Sequence, residues 1–531
     1  MPRFSIITPV YEPPSDVLAD TLASVMGQTF TDWELIAVND ASPSAWVAEQ
    51  LDQAAALDPR IRVVHREQNG GITVASQQAL EAATGDFVVL LDHDDTLELW
   101  ALQAVAAALD ADPEIDYLYT DEDKLSAEGH YIEPFYKPDW SPERLRAQNY
   151  CCHLSVLRRS LTVEVGGFRP GFEGSQDYDI ILRVTEKARR VHHLPEVLYH
   201  WRKVPMSVAS DPGAKPYAYE SGRRAVQEHC DRMGIDAVVE SEELLGTYRL
   251  RRRIAGEPLV SVIIPTRGSS GRVWGVQRCY VVEAVRSVMG TLSHYANLEF
   301  VVVVDRETPA DVLTALERVA GDRLRLVWFD GPFNFSDKVN LGRVHASGDL
   351  LLLLNDDIEV ITPDFIEVMI PLAQEPDVGS VGAKLLFSDG TLQHAGHVYT
   401  GHASHVFLRR DGNEPGPSAL LAVQRECIGV TAACLMLRPE VFDQVGGFSP
   451  VYASNFNDVD FALKLRQVGY RNLWTPYARL FHFESVTRDP TVSVAEHEAI
   501  NRRWYPQLQN DPYHNINLEG HRDDWVERGM R

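Results

Sequence analysis

ATGDFVVLLDHDD at residues 83–95 and ASGDLLLLLNDDI at residues 346–358 are two copies of one phrase, 263 positions apart. Each reads as a small polar turn, a five-residue apolar run and a cluster of acids and amides. A short apolar run bounded by turn residues fits a strand buried on both faces, which is how strands of a parallel sheet look. The same offset lays SVMG at Ser24–Gly27 onto SVMG at Ser287–Gly290. Before these, SIITP at Ser5 pairs with SVIIP at Ser261, an offset of 256, and after them VGGF at Val165 pairs with VGGF at Val445, an offset of 280. Order kept while spacings stretch marks a duplicated domain whose loops differ in length. The expected layout is a first domain over 1–240, a linker over 241–258 where YRLRRRIAGEP is basic and poorly periodic, and a second domain over 259–531 ending in a helical extension.

The rest of the chain agrees with two core-forming domains. It has 531 residues, 45% of them hydrophobic, and a net charge of 50 − 76 = −26. Such a charge opposes binding to a polyphosphate duplex but not to a nucleotide in a local pocket. Apolar runs of five or six residues are far short of the about 18 that span a bilayer, and the FSIITPV start is too strand-like for a secretory signal, so the expected location is the cytoplasm. Six cysteines without a CxxC pair read as free thiols. Within each half, β-branched runs such as Glu34 to Val38 alternate with helical patterns such as Val17, Leu18, Leu22, Val25. That order gives an α/β fold with a largely parallel sheet, whose ligands bind at the carboxyl ends of the strands.

Those ends are rich in acids: PVYE (9–12), VND (38–40) and LDHDD (91–95) in the first half, and PTRG (265–268), VVD (303–305) and LNDDIE (354–359) in the second. Clustered carboxylates repel one another and cost desolvation, so they call for a cation, and hard oxygen donors suit Mg²⁺ or Mn²⁺. Turn formation and helix capping explain one such cluster equally well; recurrence in both halves favours the cation. Later, GSQDYDIILRV (174–184) and SNFNDVDFALKL (454–465) place Asp177 and Asp458 at helix starts, as caps or as general bases. About twenty residues on, LYHWR and LFHFE align His200 with His482.

Taken together, SIITPVYE, LLDHDD, YTDEDK, FYKPDWSPERL, GSQDYDIILR and LPEVLYHWR, then SVIIPTRG, LLNDDIE, SDGTLQHAG, VTAACLMLR, NDVDFALKLRQVGY and DPYHNINL, resemble the family-2 glycosyltransferases. These are inverting enzymes of GT-A fold, and the closest likeness is to tandem-domain bacterial enzymes of O-antigen and surface-polysaccharide assembly. The resemblance implies a Mn²⁺ or Mg²⁺ cofactor, nucleotide-diphospho-sugar donors and a glycan or lipid-linked acceptor, with no nucleic acid and peripheral contact with the inner face of the cytoplasmic membrane. By the same resemblance Asp40 and Asp305 contact the nucleoside, and Pro9, Tyr11, Glu12 and Thr266 line the base pocket. Asn69, Asp92, Asn340, Asn355 and Asp356 complete the nucleotide-sugar contacts. Asp94 with His200, and Asp357 with His482, hold the metal. Asp177 and Asp458 are the bases, and Arg202 and Arg488 reach the diphosphate. Asn355 stands where the motif has its first aspartate, and Gln176 and Asn457 stand where a glutamate usually precedes the base.

Other readings remain beside this one. A sugar nucleotidyltransferase would show a Gly-rich, Arg-containing phosphate loop after the first strand, where this chain has PVYEPPSD and PTRGSSGR. A second alternative has one half catalytic while the other only holds glycan. His394, His397, His402 and His405 read as an ordinary Gly-rich loop, as a loop contacting substrate beside the sugar site, or as a zinc site without cysteine. Trp140, Trp201, Trp328 and Trp474 lie near the motifs and serve as core or as sugar platforms.

Overall fold

The computed structural model describes residues 1–203, 216–483 and 492–529. It divides into one unit of Met1–Leu250 with Asn515–Asn517, and a second of Arg251–His514 with Leu518–Arg531. The first unit has strands β1 (Phe4–Val10), β2 (Trp33–Asn39), β3 (Ile61–His65), β4 (Phe87–Leu90), β5 (Thr96–Leu97), β6 (Ile115–Leu125), β7 (Tyr131–Phe135), β8 (Ser155–Arg158), β9 (Arg190–Arg202), β10 (Ala237–Ser241) and β11 (Tyr248–Arg252). Its sheet runs β3-β2-β1-β4-β8-β6-β9-β5, with β7 on β6. β1 is central and parallel to β2 and β4.

The second unit follows with β12 (Val260–Thr266), β13 (Ser270–Val273), β14 (Val276–Cys279), β15 (Leu298–Asp305), β16 (Leu324–Phe329), β17 (Leu350–Leu354), β18 (Ile358–Val360), β19 (Val378–Leu386), β20 (Leu392–His394), β21 (His397–Tyr399), β22 (Ala403–His405), β23 (Arg425–Cys427), β24 (Cys434–Leu437) and β25 (Arg471–His482). Its main sheet, β16-β15-β12-β17-β24-β19-β25-β18, repeats the first unit's order strand for strand. The duplication seen in short phrases is therefore a duplication of topology.

The five-leucine run shows how the sheet is buried. Leu350, Leu352 and Leu354 belong to the apolar cluster on one face, and Leu351 and Leu353 to the cluster on the other. Every side chain is buried because helices cover both faces. Leu352→Ala is expected to lower unfolding stability by about 2–5 kcal/mol, the usual cost of a leucine-sized core cavity, measured by urea titration.

The glycines of the paired ATGD and ASGD turns have a steric reason. Gly85 N–H donates to Ser5 Oγ at 2.8 Å, and Ser5 Oγ donates to Glu34 at 2.7 Å. In the second unit Gly348 N–H donates to Ser261 Oγ at 2.8 Å and Ser261 Oγ to Glu299 at 2.5 Å. A Cβ on Gly85 would stand 2.8 Å from Ser5 N, and one on Gly348 2.6 Å from Ser261 N. Backbone cannot yield there, so Gly348→Ala is expected to cost about 1–3 kcal/mol by overpacking, read as a fall in melting temperature.

The expected linker over 241–258 contains a strand: β11 pairs with β10, and Tyr248, 3% exposed, packs into the first unit's core. Arginines at 249, 251, 252 and 253 hide the apolar alternation of Tyr248 and Leu250. All six cysteines are free thiols, four of them buried. Among the described residues no helix is long and apolar enough to cross a membrane.

Candidate active sites

In the first unit the end of β1 turns at Tyr11, which is exposed, and Glu12. The Pro9 carbonyl accepts from His93 Nδ1 at 3.0 Å, tying β1 to the LDHDD loop. The Glu12 carboxylate accepts from Ser44 N and Oγ at 2.9 and 2.8 Å, at the start of the helix Ala45–Leu57. Asp40 is buried and heavily bonded: it accepts from Gly70 N at 2.9 Å and Gly71 N at 2.7 Å and pairs with Arg66 Nε at 2.7 Å. Its carbonyl accepts from Asn69 Nδ2 at 3.0 Å. Asp40 and Asn69 are thus neighbours, and both hold the loop before the helix Ile72–Ala82.

The LDHDD loop sorts its acids. Asp95 is fully buried and accepts from Tyr199 OH at 2.5 Å and Arg202 N at 2.7 Å. Burial, then the charges of Asp94 and Asp92, push its carboxyl well above the ordinary range. Burial also raises Asp92, opposed by His153. Asp92, Asp95 and His153 offer ligand atoms within 4.8 Å of one another, a grouping that Asp94 and His200 do not join. Arg202 Nε donates to the Asp94 carbonyl at 2.9 Å and its guanidinium pairs with Asp20.

His200 stands between two carboxylates. Its Nδ1 donates to Asp123 Oδ1 at 2.6 Å, while Nε2 is buried without a hydrogen-bond partner among the described residues, 3.5 Å from Glu98 Oε1. A carboxylate behind one ring nitrogen fixes the tautomer and directs the other nitrogen's lone pair toward a cation. Asp177 opens the helix Gln176–Thr185, and its Oδ2 accepts from Asn149 Nδ2 at 2.9 Å and Cys152 Sγ at 3.3 Å. Burial, then the Asp177 charge, keeps Cys152 a thiol by raising it well above its ordinary value.

The second unit gathers its candidates on one cavity of about 480 Å³, lined by Thr266, Asn355, Asp356, Asp357, Asp458 and His482, among others. Thr266 Oγ1 donates to Asp356 Oδ2 at 2.6 Å. Burial and the neighbouring Asp357 raise Asp356 to about 7. His482 repeats the pattern of His200 with an amide behind it: Nδ1 donates to Gln393 Oε1 at 2.6 Å. Its Nε2 lies 3.1 Å from both Asp357 Oδ1 and Asn355 Nδ2. A lone pair and a carboxylate aimed at one point fit a divalent cation between them. Asp458 opens the helix Asn457–Gln467; its Oδ2 receives Ala432 N–H at 3.4 Å and lies 3.8 Å from His397 Nε2.

Other expected residues are placed elsewhere. Asp305 lies off the cavity lining and pairs with Lys338 Nζ at 2.5 Å. Asn340 is spent on Phe448, accepting from its N–H at 2.9 Å and donating to its carbonyl at 2.8 Å. Arg488 lies outside the described residues. Trp474 is core, and Trp328 is half-exposed, 5.7 Å from the Arg306 guanidinium. Sequence reasoning missed Lys338, His153, Asn149 and Cys152. Lys338 is fully buried and donates to the Thr266 carbonyl at 2.8 Å, supporting the cavity wall. Its one sequence signal is its place in the first turn of the helix Phe335–His345, which Asn334 caps.

Residues 5–166 match the model of glycosyl transferase family 2, and residues 258–506 match that of the glycosyltransferase-like family 2. Over 99% of its length the chain is 41% identical to the uncharacterized protein y4gI of Sinorhizobium fredii, of which it spans 58%. Over 97% it is 38% identical to the O-antigen biosynthesis protein RfbC of Myxococcus xanthus, of which it spans 40%. A solved structure of S. aureus TarS 1-349 in complex with UDP-GlcNAc is similar over 43% of this chain and 66% of that one, at 21% identity and a TM-score of 0.35. Two family matches in tandem, on two sheets of the same strand order, place the chain in glycosyltransferase family 2, with two such domains in one polypeptide.

Proposed function

We propose that the chain is a metal-dependent inverting glycosyltransferase with two active sites, one in each unit, moving sugars from nucleotide-diphospho-sugars to a growing bacterial polysaccharide or lipid-linked glycan. The observation that carries this is the second unit's cavity, which brings Asp357 and His482 together with Asp458. In the mechanism, Asp458 takes the proton of the acceptor hydroxyl as that oxygen bonds to the anomeric carbon. The bond from that carbon to the diphosphate oxygen breaks on the opposite face, so the configuration inverts. Asp357 and His482 would hold a Mn²⁺ or Mg²⁺ ion, which would supply positive charge to the departing diphosphate. Asn355 Nδ2, beside His482, and Thr266, bonded to Asp356, orient the acids around the donor.

In the first unit Asp177 takes the same part, its Oδ2 steadied by Asn149. Asp94 and His200 would hold the ion there by the family pattern, while the same loop separately brings Asp92 and Asp95 to within 4.8 Å of His153, a second set of donors for it. The two sites differ in their surroundings, LDHDD against LNDDI and GSQDYD against NFNDVD, which supports two different transfers over a doubling of one. Tethering raises the first product's effective concentration at the second site. A lipid-linked acceptor would bring the chain to the inner face of the cytoplasmic membrane.

One observation favours a second reading, a single catalytic half with a glycan-holding partner: Asp40 has its carboxylate committed to Arg66, Gly70 and Gly71. Nucleotide-sugar donors screened with Mn²⁺ against a defined glycan acceptor test both. Transfer of one sugar only, by the second unit alone, would establish the single-site reading. Transfer by neither unit, with metal and donor saturating, would remove the catalytic proposal.

A further inference from the structure

The second unit contains three imidazoles for which neither the transfer chemistry nor the family match has a use. His394 ends β20, His397 begins β21 and His405 ends β22. Their ring centroids make a nearly equilateral triangle, 5.2 Å from His394 to His397, 5.0 Å from His394 to His405 and 5.1 Å from His397 to His405. The rings are close to perpendicular in every pair, at 80°, 81° and 74°. Nitrogens of all three lie within 4.8 Å of one another. His402 is exposed and not part of the group.

Imidazole nitrogen bonds Zn²⁺ at about 2.0–2.1 Å, and three rings on a tetrahedral ion bring their centroids roughly 5 Å apart. The observed triangle has that size. We propose that His394, His397 and His405 form a binding site for one transition-metal ion of the Zn²⁺ class, with its fourth position open to the cavity that His397 and His405 line. Three histidines with one open position is the donor set of a reactive rather than a purely structural zinc site. An imidazole-only set disfavours Mg²⁺, so this site is chemically distinct from the Asp357–His482 pair.

The surroundings contribute on both sides. Burial, then the neighbouring His405 and His397, holds His394 well below its ordinary basicity, in the neutral form that ligation requires. The Asp458 carboxylate, 3.8 Å from His397 Nε2, offsets part of an ion's charge. Against it, His394 Nδ1 and His405 Nδ1 share one proton across 2.7 Å, and Thr431 N–H reaches His394 Nε2 at 3.2 Å. An ion displaces that shared proton; His394 then carries its hydrogen on Nε2, and the Thr431 contact lengthens. His397 Nδ1 also lies 3.2 Å from Tyr399 OH.

Co²⁺ titration of the full chain, followed by visible absorption, tests the site, with displacement by Zn²⁺ and elemental analysis giving the stoichiometry. With excess Mg²⁺ present to occupy the carboxylate sites, the expected result is one equivalent of Co²⁺ per chain with the intense band of four-coordinate Co²⁺. His394→Gln and His405→Gln should each abolish the band and weaken binding at least about tenfold, while Asp357→Asn keeps it. His405 is only half-buried, so His405→Gln is the variant expected to keep its fold, checked by circular dichroism. No uptake by the wild-type chain, a band that survives either histidine change, or a loss confined to Asp357→Asn would each overturn the proposal. No glycosyl transfer enters the measurement, so its failure leaves the transferase reading untouched.

Discussion

Asp458→Asn is expected to lower the second unit's transfer rate by about 10²–10⁴, the usual worth of a positioned general base, while nucleoside-diphosphate affinity changes by less than about threefold. The split follows from position. Asp458 stands at a helix start on the cavity that Asp356 and Asp357 also line, with Oδ2 steadied by Ala432 N–H, and as the proposed base it would meet the acceptor rather than the diphosphate. The amide keeps the shape and loses the proton-accepting oxygen. Asp177→Asn is expected to do the same for the first unit, where Asn149 and Cys152 take the steadying part. Given both donors and a defined acceptor, the two variants should stop at different products, resolved by mass spectrometry. If either variant makes the wild-type product at the wild-type rate, that aspartate is not a base. If nucleotide affinity collapses instead, it is a donor ligand.

Chelation is expected to remove transfer by both units, at least about 100-fold, and Mn²⁺ or Mg²⁺ to restore it. A diphosphate brought among Asp356, Asp357 and Asp458 meets clustered carboxyls that Lys338 and Arg267 on the same lining offset only in part, and a divalent cation would supply the remaining positive charge, which counts for more at the low effective dielectric of a cavity. Asp357→Asn should imitate chelation in the second unit and leave the first unit's product unchanged. His482→Gln, which keeps bulk and loses the lone pair beside Asp357, should raise the metal concentration needed for half-maximal rate by about 10- to 100-fold. Undiminished transfer in excess chelator would show that the carboxylates serve another purpose.

What the sequence makes legible here is what repeats. The paired ATGD and ASGD turns, the apolar runs and the acids after them follow from local chemistry, and an identical order of motifs in two halves fixes an identical order of strands. Less legible are residues whose meaning comes from distant partners. Asp40 and Asp305 occupy matching strand ends, yet one is bound by Arg66 and two backbone amides while the other faces Lys338. Nothing local distinguishes them, because their partners arrive from later loops and helices. Asn340 looks like a cavity residue in sequence and instead closes both hydrogen-bonding groups of Phe448, 108 positions away. The histidine-rich stretch was visible, but whether its rings converge depends on how β20, β21 and β22 fold back, which spacing alone leaves open.

The paired serine–glycine–glutamate contacts beside the two central strands have a consequence for acid. Burial alone would raise the carboxyls of Glu34 and Glu299, but hydrogen bonds from Ser5, Thr84 and Arg62, and from Ser261 and Ser347, hold both below the ordinary value of 4.5. A carboxyl depressed in the folded chain contributes stability that is fully present above its unfolded value and is lost as pH falls through the folded one. Each half therefore takes up a proton at an equivalent joint, so acid should withdraw stability from each domain as pH falls below 4.5 through these lowered values. Glu34→Gln and Glu299→Gln should each flatten the acid limb of melting temperature against pH for one domain.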